Sequence, residues 1–381
     1  MYLRGIRLIA RIGSGLFLPV LFFLALSSCT EDQPGILELE NTPLKFEDTP
    51  FVPENAQETT TSAPLEKKFT GTFIDFWNKG GWTQQQWLDH FDEMAEIGIN
   101  TVIVQFVAFD NKTNTYTWFN SSNTFAAEHI FPDALPKLMY AAEQKNMKVY
   151  IGLYFSNEYW DNQTNVSWLQ THADRCNFIA HEIAGQFGSS PAFEGWYIPH
   201  EPEPHAYNSA ALVGSFNTNF VNRISDYTHT LNDKPVTIAA FFNSALTTTN
   251  ELLYFMSDLS KGNLQIIMLQ DGVGADHVSL DDLLMYYNDA AWGLYGENPD
   301  YTGLFWADIE TFYNYAPANI NRIVRQIQIA FSFPHITKFV SFQYYNDMCP
   351  SGPNGSDALK LRNDYIDYLN ELSTGLIYVR M

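Results

Sequence analysis

The sequence predicts an α/β fold, a single (β/α)8 TIM barrel, preceded by an export signal and a tether. From residue 69 onward, eight short runs rich in β-branched and aromatic residues alternate with eight longer stretches of helical period. That is the count and order of a barrel in which every strand is followed by a helix. Several of the short runs are almost continuously apolar, as in Thr101-Val102-Ile103-Val104 and Gln265-Ile266-Ile267-Met268-Leu269, which suits a parallel sheet covered by helices. A doubly wound open sheet would place a glycine-rich phosphate turn after its first strand, and Phe73-Ile74-Asp75-Phe76-Trp77-Asn78 has none.

The chain opens with Arg4, Arg7 and Arg11, continues through an apolar run from Leu16 to Leu26 and reaches Leu26-Ser27-Ser28-Cys29, the order of a secretory signal. The apolar run is too short to span a bilayer, and Pro19 interrupts it. Its ending resembles the bacterial lipobox, which implies a signal peptide over residues 1–28 and a diacylated Cys29 as the new N-terminus. Glu31-Asp32 directly afterwards resembles the export signal of surface lipoproteins in Bacteroidetes-type bacteria. The implied location is the outer membrane, facing outward, with the lipid anchor as the sole membrane contact. Residues 29–68 carry Pro34, Pro43, Pro50, Pro53 and Pro64 among many Thr and Glu, and read as a flexible tether.

Within the barrel, residues 69–381, the expected strands are Gly71–Phe76, Asn100–Phe106, Lys148–Phe155, Phe193–Pro199, Val236–Phe242, Leu264–Gln270, Gly303–Ile309 and Phe339–Tyr345. The first helix starts at Thr83, with Gln86 three residues on in a capping-box pattern; it sets Trp87, Phe91, Met94 and Ala95 on one face and stops at Gly98. Helical period also runs through 132–146, 168–186, 209–231, 247–260, 279–291 and 357–371. After Asn319, Ile320, Ile323, Val324 and Ile327 fall at i, i+3, i+4 and i+7.

With 46% hydrophobic and 17% charged residues the 381-residue chain can bury a large core, which excludes a disordered or disulfide-stapled protein. Its net charge of −22, with no basic run after residue 12, argues against nucleic acid as a partner. Cys176 and Cys349 lack metal-ligand spacing and read as two buried thiols, although export also permits a disulfide. No cofactor or metal is expected.

Strand ends converge over the mouth of a barrel, so the polar and aromatic residues there are the candidate site. They are Asp75 and Trp77 after the first strand, Gln105 after the second, His200 and Glu201 after the fourth, and Asp271 after the sixth. Trp306, Asp308 and Glu310 follow on the seventh, and Gln343 and Tyr345 on the eighth. Trp306, Asp308 and Glu310 share strand parity, and an acid facing inward must be paired or functional. Asp271, in an Asp-Gly step, fits a turn as well as a substrate contact. Rings make up 15% of the chain, and a rim of rings, amides and acids suits sugars, whose C–H faces stack while their hydroxyls hydrogen-bond. Glu201 and Glu310 can flank one bond, and glycoside hydrolysis needs two such carboxyl groups.

His200-Glu201-Pro202 and the seventh-strand Glu310 resemble the retaining TIM-barrel glycoside hydrolases, with His200 where that clan has Asn. The resemblance implies Glu201 as acid/base, Glu310 as nucleophile and His200 as a donor to the neighbouring sugar hydroxyl, the other rim residues being substrate contacts. Gly71-Thr72-Phe73-Ile74-Asp75, Gln270-Asp271-Gly272-Val273-Gly274 and Trp306-Ala307-Asp308-Ile309-Glu310 also resemble an uncharacterised family of glycoside-hydrolase-like barrels in Bacteroidetes lipoproteins. A hydrolase acting on an extracellular glycan is the implied function. Two alternatives stand beside it: a glycan-binding lipoprotein without catalysis, and a metal-dependent hydrolase with His200 and Asp271 among its ligands.

Overall fold

The computed structural model describes residues 66–374. The expected signal peptide, the lipidation site Cys29 and the tether up to residue 65 lie outside the described residues. Eight parallel strands close into a barrel: β1 (Gly71–Ile74), β2 (Thr101–Val104), β3 (Lys148–Gly152), β4 (Phe193–Ile198), β5 (Val236–Ala240), β6 (Ile266–Gln270), β7 (Leu304–Glu310) and β8 (Ile336–Phe342). Each strand pairs with its neighbours in sequence, and β8 returns to β1 through Gly71 opposite Val340. Helices cover the outside. The first, Gln84–Ala95, begins with the expected capping box, the Thr83 hydroxyl accepting from Gln86 N while the Gln86 side chain accepts from Thr83 N. Among the described residues no helix is long and apolar enough to cross a membrane.

Many boundaries differ from the expectation by one to four residues, and three differences shape the barrel and its mouth. The third strand stops at Gly152, where a Cβ would stand 2.2 Å from the Gln105 carbonyl oxygen. The chain then leaves the barrel, and Tyr154–Ser156 joins Ala108–Asp110, Thr115–Thr117 and His129–Ile130 in a second, four-stranded sheet. The last strand begins three residues earlier than expected and ends at Phe342, because Asp347 bends the chain after it into the short helix Tyr344–Asp347. Its carboxylate accepts from Gln343 N at 3.3 Å and Thr311 Oγ1 at 2.8 Å. The helix expected over 209–231 contains a π-helical turn, Asn217–Val221, between Ala210–Phe216 and Asn222–Leu231.

The inside of the barrel is packed solid. Phe73, Ile103, Tyr150, Tyr197, Ala239, Ile266, Met268, Trp306 and Val340 form one cluster, with Phe73 edge-on to Tyr197 and Tyr150 edge-on to Trp306, both at 5.4 Å. Burying each large apolar side chain contributes about 1.5–3 kcal/mol, and the same packing fixes which residues emerge at the mouth. Cys176 and Cys349 are both free and buried.

Candidate active site

Side chains two residues apart on a strand share a face. With Phe73, Ile103, Ala239, Met268, Trp306 and Val340 facing inward, the next inward positions are Asp75, Gln105, Phe241, Gln270, Asp308 and Phe342. Glu310 lies one step further along β7. On the opposite wall, Tyr197 leads to Glu201 three residues after β4 ends.

The carboxyl groups fall into a connected set. Glu201 accepts a hydrogen bond from Gln270, and loss of water pushes its carboxyl up to about 7 against that bond. Asp308 is 1% exposed, and its Oδ1 has no hydrogen-bond partner. Burial, followed by the charges of Asp271, Glu310 and Glu201, holds it well above the usual carboxylate range, so Asp308 senses the acids of both walls. The Tyr197 phenol beneath is raised by burial and then by Glu201 and Asp308. Glu310 is pushed up to about 8, by burial first and by Asp271 second. Opposing that shift, Glu310 Oε2 accepts from Ala275 N at 2.7 Å, and the Gly274 amide also donates to the carboxylate. Gly274 permits this cradle: a Cβ there would lie 2.3 Å from the Phe312 carbonyl oxygen and 2.9 Å from Glu310 Cβ.

A second group assembles on the β8–β1 side. Asp75 Oδ1 accepts from Lys79 Nζ at 2.8 Å and from Trp77 N at 2.9 Å, while Oδ2 accepts from Gln343 Nε2 at 3.2 Å. Lys79, 1% exposed, lies 3.7 Å from the Tyr345 ring centroid, a cation–π contact. Trp77 stands edge-on against Phe106, Phe109, Tyr116 and Trp118, part of an aromatic wall built from the second sheet and the residues flanking its strands. The structure thus gathers Asp75, Trp77, Gln343 and Tyr345 around Lys79, and Glu201, Asp308 and Glu310 in the acidic set. Gln105 takes its inward place at the end of β2.

Three predicted contacts do not reach the mouth. His200 is fully buried, with its ring among Phe155, Tyr159, His172 and Phe220 at centroid distances of 4.5–5.1 Å, and it offers nothing to a ligand there. Strand parity explains it: His200 alternates with Glu201 and faces the helices. Asp271 is fully buried behind β7, its carboxylate accepting from Gln326 Nε2, Glu310 N and Val273 N. It is a support for Glu310 rather than a substrate contact. Trp306 lies one layer below the mouth, in the barrel core. His200 and Asp271 therefore share no metal position. Sequence reasoning missed Lys79, whose signal was its place four residues after Asp75. It also missed the Gly274-Ala275 amides, which carry no side-chain signal.

Fold and site together define a (β/α)8 barrel with a mouth lined by buried carboxyl groups and aromatic rings. The chain belongs to the family described as Domain of unknown function (DUF4434), which matches residues 69–356. No curated protein matches it. Among solved structures it is similar to a candidate alpha-L-fucosidase from Bacteroides thetaiotaomicron, at 20% identity and TM-score 0.65, over 84% of this chain and 99% of that one. An endo-1,4-beta-D-mannanase from Thermotoga petrophila aligns at 10% identity and TM-score 0.52, over 78% and 99%. The PgaB (BpsB) glycoside hydrolase domain from Bordetella bronchiseptica aligns at 8% identity and TM-score 0.51, over 82% and 99%. At these identities the likeness is one of fold.

Proposed function

We propose that this protein is a glycoside hydrolase, tethered to the outer membrane through a lipidated Cys29, that cleaves an extracellular glycan by a two-carboxylate retaining mechanism. The observation that carries the reading is the pair of unlike carboxyl environments on opposite walls. Glu201 is held near pH 7 by burial, and Glu310 is presented by two backbone amides that favour its anion. In the first step Glu201 gives its proton to the glycosidic oxygen, the C1–O bond breaks and a Glu310 oxygen bonds to C1. In the second, the Glu201 carboxylate takes a proton from water, the water oxygen bonds to C1 and the Glu310–C1 bond breaks. Trp77 and Tyr345 supply rings for sugar stacking, and Asp75, Gln105 and Gln343 supply polar contacts.

One observation favours a second reading, a glycan-binding protein without catalysis: burial and Asp271 hold Glu310 up to about 8, whereas a nucleophile must be ionised. Release of reducing ends from plant, host and microbial glycans by wild type, Glu201→Gln and Glu310→Gln decides between them. Hydrolysis lost in both folded variants is the expected result. Retention of a glycan by all three proteins, with no hydrolysis by any, would leave the binding protein.

A further inference from the structure

Away from the acidic set, three side chains with metal-binding atoms meet beside the Lys79 group. His90 and Glu93 are one turn apart on the helix Gln84–Ala95, and Cys349 follows the short helix after β8. His90 Nδ1 lies 3.7 Å and Glu93 Oε2 lies 3.6 Å from Cys349 Sγ, and all three ligand atoms fall within 4.8 Å of one another. The pairs are 259 and 256 residues apart in sequence, so no spacing pattern reveals them.

We infer that His90, Glu93 and Cys349 form a site for a thiophilic divalent cation of the zinc type. The distances fit: tetrahedral zinc with bonds of about 2.3 Å to sulfur and about 2.0–2.1 Å to nitrogen or oxygen sets sulfur roughly 3.5 Å from each other ligand. Ser351 Oγ, 3.1 Å from the sulfur, or a water completes the fourth position. One thiolate and one carboxylate neutralise a divalent ion, so the filled site carries no net charge. The charge of the nearby Lys79 is met by Asp75 at 2.8 Å, and that of Arg362 by Glu96 at 2.5 Å.

Binding exchanges a proton for a metal: the Cys349 S–H bond breaks, a sulfur–metal bond forms, and the proton leaves to solvent. His90 is also edge-on to Tyr345 at 5.7 Å. An ion here ties the segment after β8, which carries Gln343 and Tyr345 to the mouth, onto the first helix. It is a positioning site and takes no part in bond cleavage.

The test uses full-length protein stripped with a chelator and titrated with Co2+, then with Zn2+. The expected result is one equivalent of Co2+ with a thiolate-to-cobalt charge-transfer band, displaced by Zn2+. That band persists in Cys176→Ser and Cys29→Ser and is lost in Cys349→Ser. Glu93→Gln, at a partly exposed position that should leave the fold intact by circular dichroism, is expected to weaken Co2+ at least tenfold. Absence of the band in wild type, its survival in Cys349→Ser, or unchanged affinity in Glu93→Gln would each overturn the assignment.

Discussion

Replacing Glu201 by Gln removes the proton that the proposed mechanism delivers while keeping the shape of the side chain. An ordinary glutamate near 4.5 is protonated in only ~0.3% of molecules at pH 7, whereas one held at about 7 is protonated in roughly half, a gain of ~150-fold in acid form. General acid catalysis itself contributes about 10²–10⁴-fold. Once a glycan panel has named the sugar, the assay is kcat against pH for the natural glycan and for an aryl glycoside with an activated leaving group. With Glu201 held at about 7 and Glu310 at about 8, the productive form, Glu201 protonated and Glu310 ionised, is a minor one that peaks between those values, so wild type should lose activity as pH rises beyond about 8, because the acid form is being titrated away. The Gln variant should lose about 10²–10⁴-fold on the natural glycan and have no basic limb. On the activated glycoside it should form the glycosyl-enzyme readily and stall there, with azide restoring turnover. A Gln variant that keeps most of its activity on the glycan, or whose rate still falls above pH 8, would refute the assignment of Glu201.

Two more outcomes concern the supports of the site. Gly274→Ala places a methyl 2.3 Å from the Phe312 carbonyl oxygen, so the loop must retreat from Glu310; we expect about 1–3 kcal/mol of lost stability in urea unfolding and a larger fall in kcat than in glycan affinity. Unchanged kcat would mean that the amide cradle is dispensable. Burial pushes the Asp347 carboxyl up to about 7 from 3.8 for an ordinary aspartate, so between those values the native state keeps a proton that the unfolded chain has released. Stability is therefore lost as pH rises from about 4 to about 7, by up to ~4 kcal/mol at 1.36 kcal/mol per pH unit. Asp347→Asn mimics the neutral form, and its stability relative to wild type should improve by ~2–3 kcal/mol between pH 5 and pH 8. The same difference at both pH values would show that Asp347 is ionised in the fold.

The barrel was legible because period and strand parity are local. Thr101–Val104 reads as a buried strand without reference to any other part of the chain, and the Thr83–Gln86 capping box marks a helix start from four residues. Parity also brought Asp308 and Glu310 to one face. The same rule, applied past the end of β4, would have separated His200 from Glu201, but a resemblance to an Asn-Glu pair outweighed it. Asp271 was illegible for another reason: its role is set by Gln326, 55 residues away on the helix behind β7, and by a backbone amide, and neither leaves a pattern in sequence. The β8 shift likewise depends on Asp347 reaching back to Thr311, a contact across the barrel wall.

The acidic set has an electrostatic consequence that its separate residues do not. Asp271, Glu310 and Glu201 all bear on Asp308, and Asp271 on Glu310, yet the nearby Arg322 spends its Nη2 on the carbonyl oxygens of Glu310 and Phe312 rather than on a carboxylate. Lys79 answers Asp75, and Arg322 draws Asp271 and Glu310 down, yet the net shifts of both remain upward, so protons more than cations keep the acidic set near neutrality. Glycosidic cleavage creates positive charge at the reacting carbon, and a group of carboxyls able to shed protons stabilises that charge more than it stabilises the neutral sugar. An N,N-dimethylated (quaternary) iminosugar, whose charge does not titrate, should displace protons from the set as it binds. Its affinity should rise between pH 5 and pH 8, by up to ~10-fold per pH unit for each proton released, since one pKa unit is worth 1.36 kcal/mol. An affinity that is flat over that range, measured by calorimetry in buffers of different ionisation enthalpy, would mean that the carboxyls hold their protons throughout and that the mouth is not organised around a developing cation.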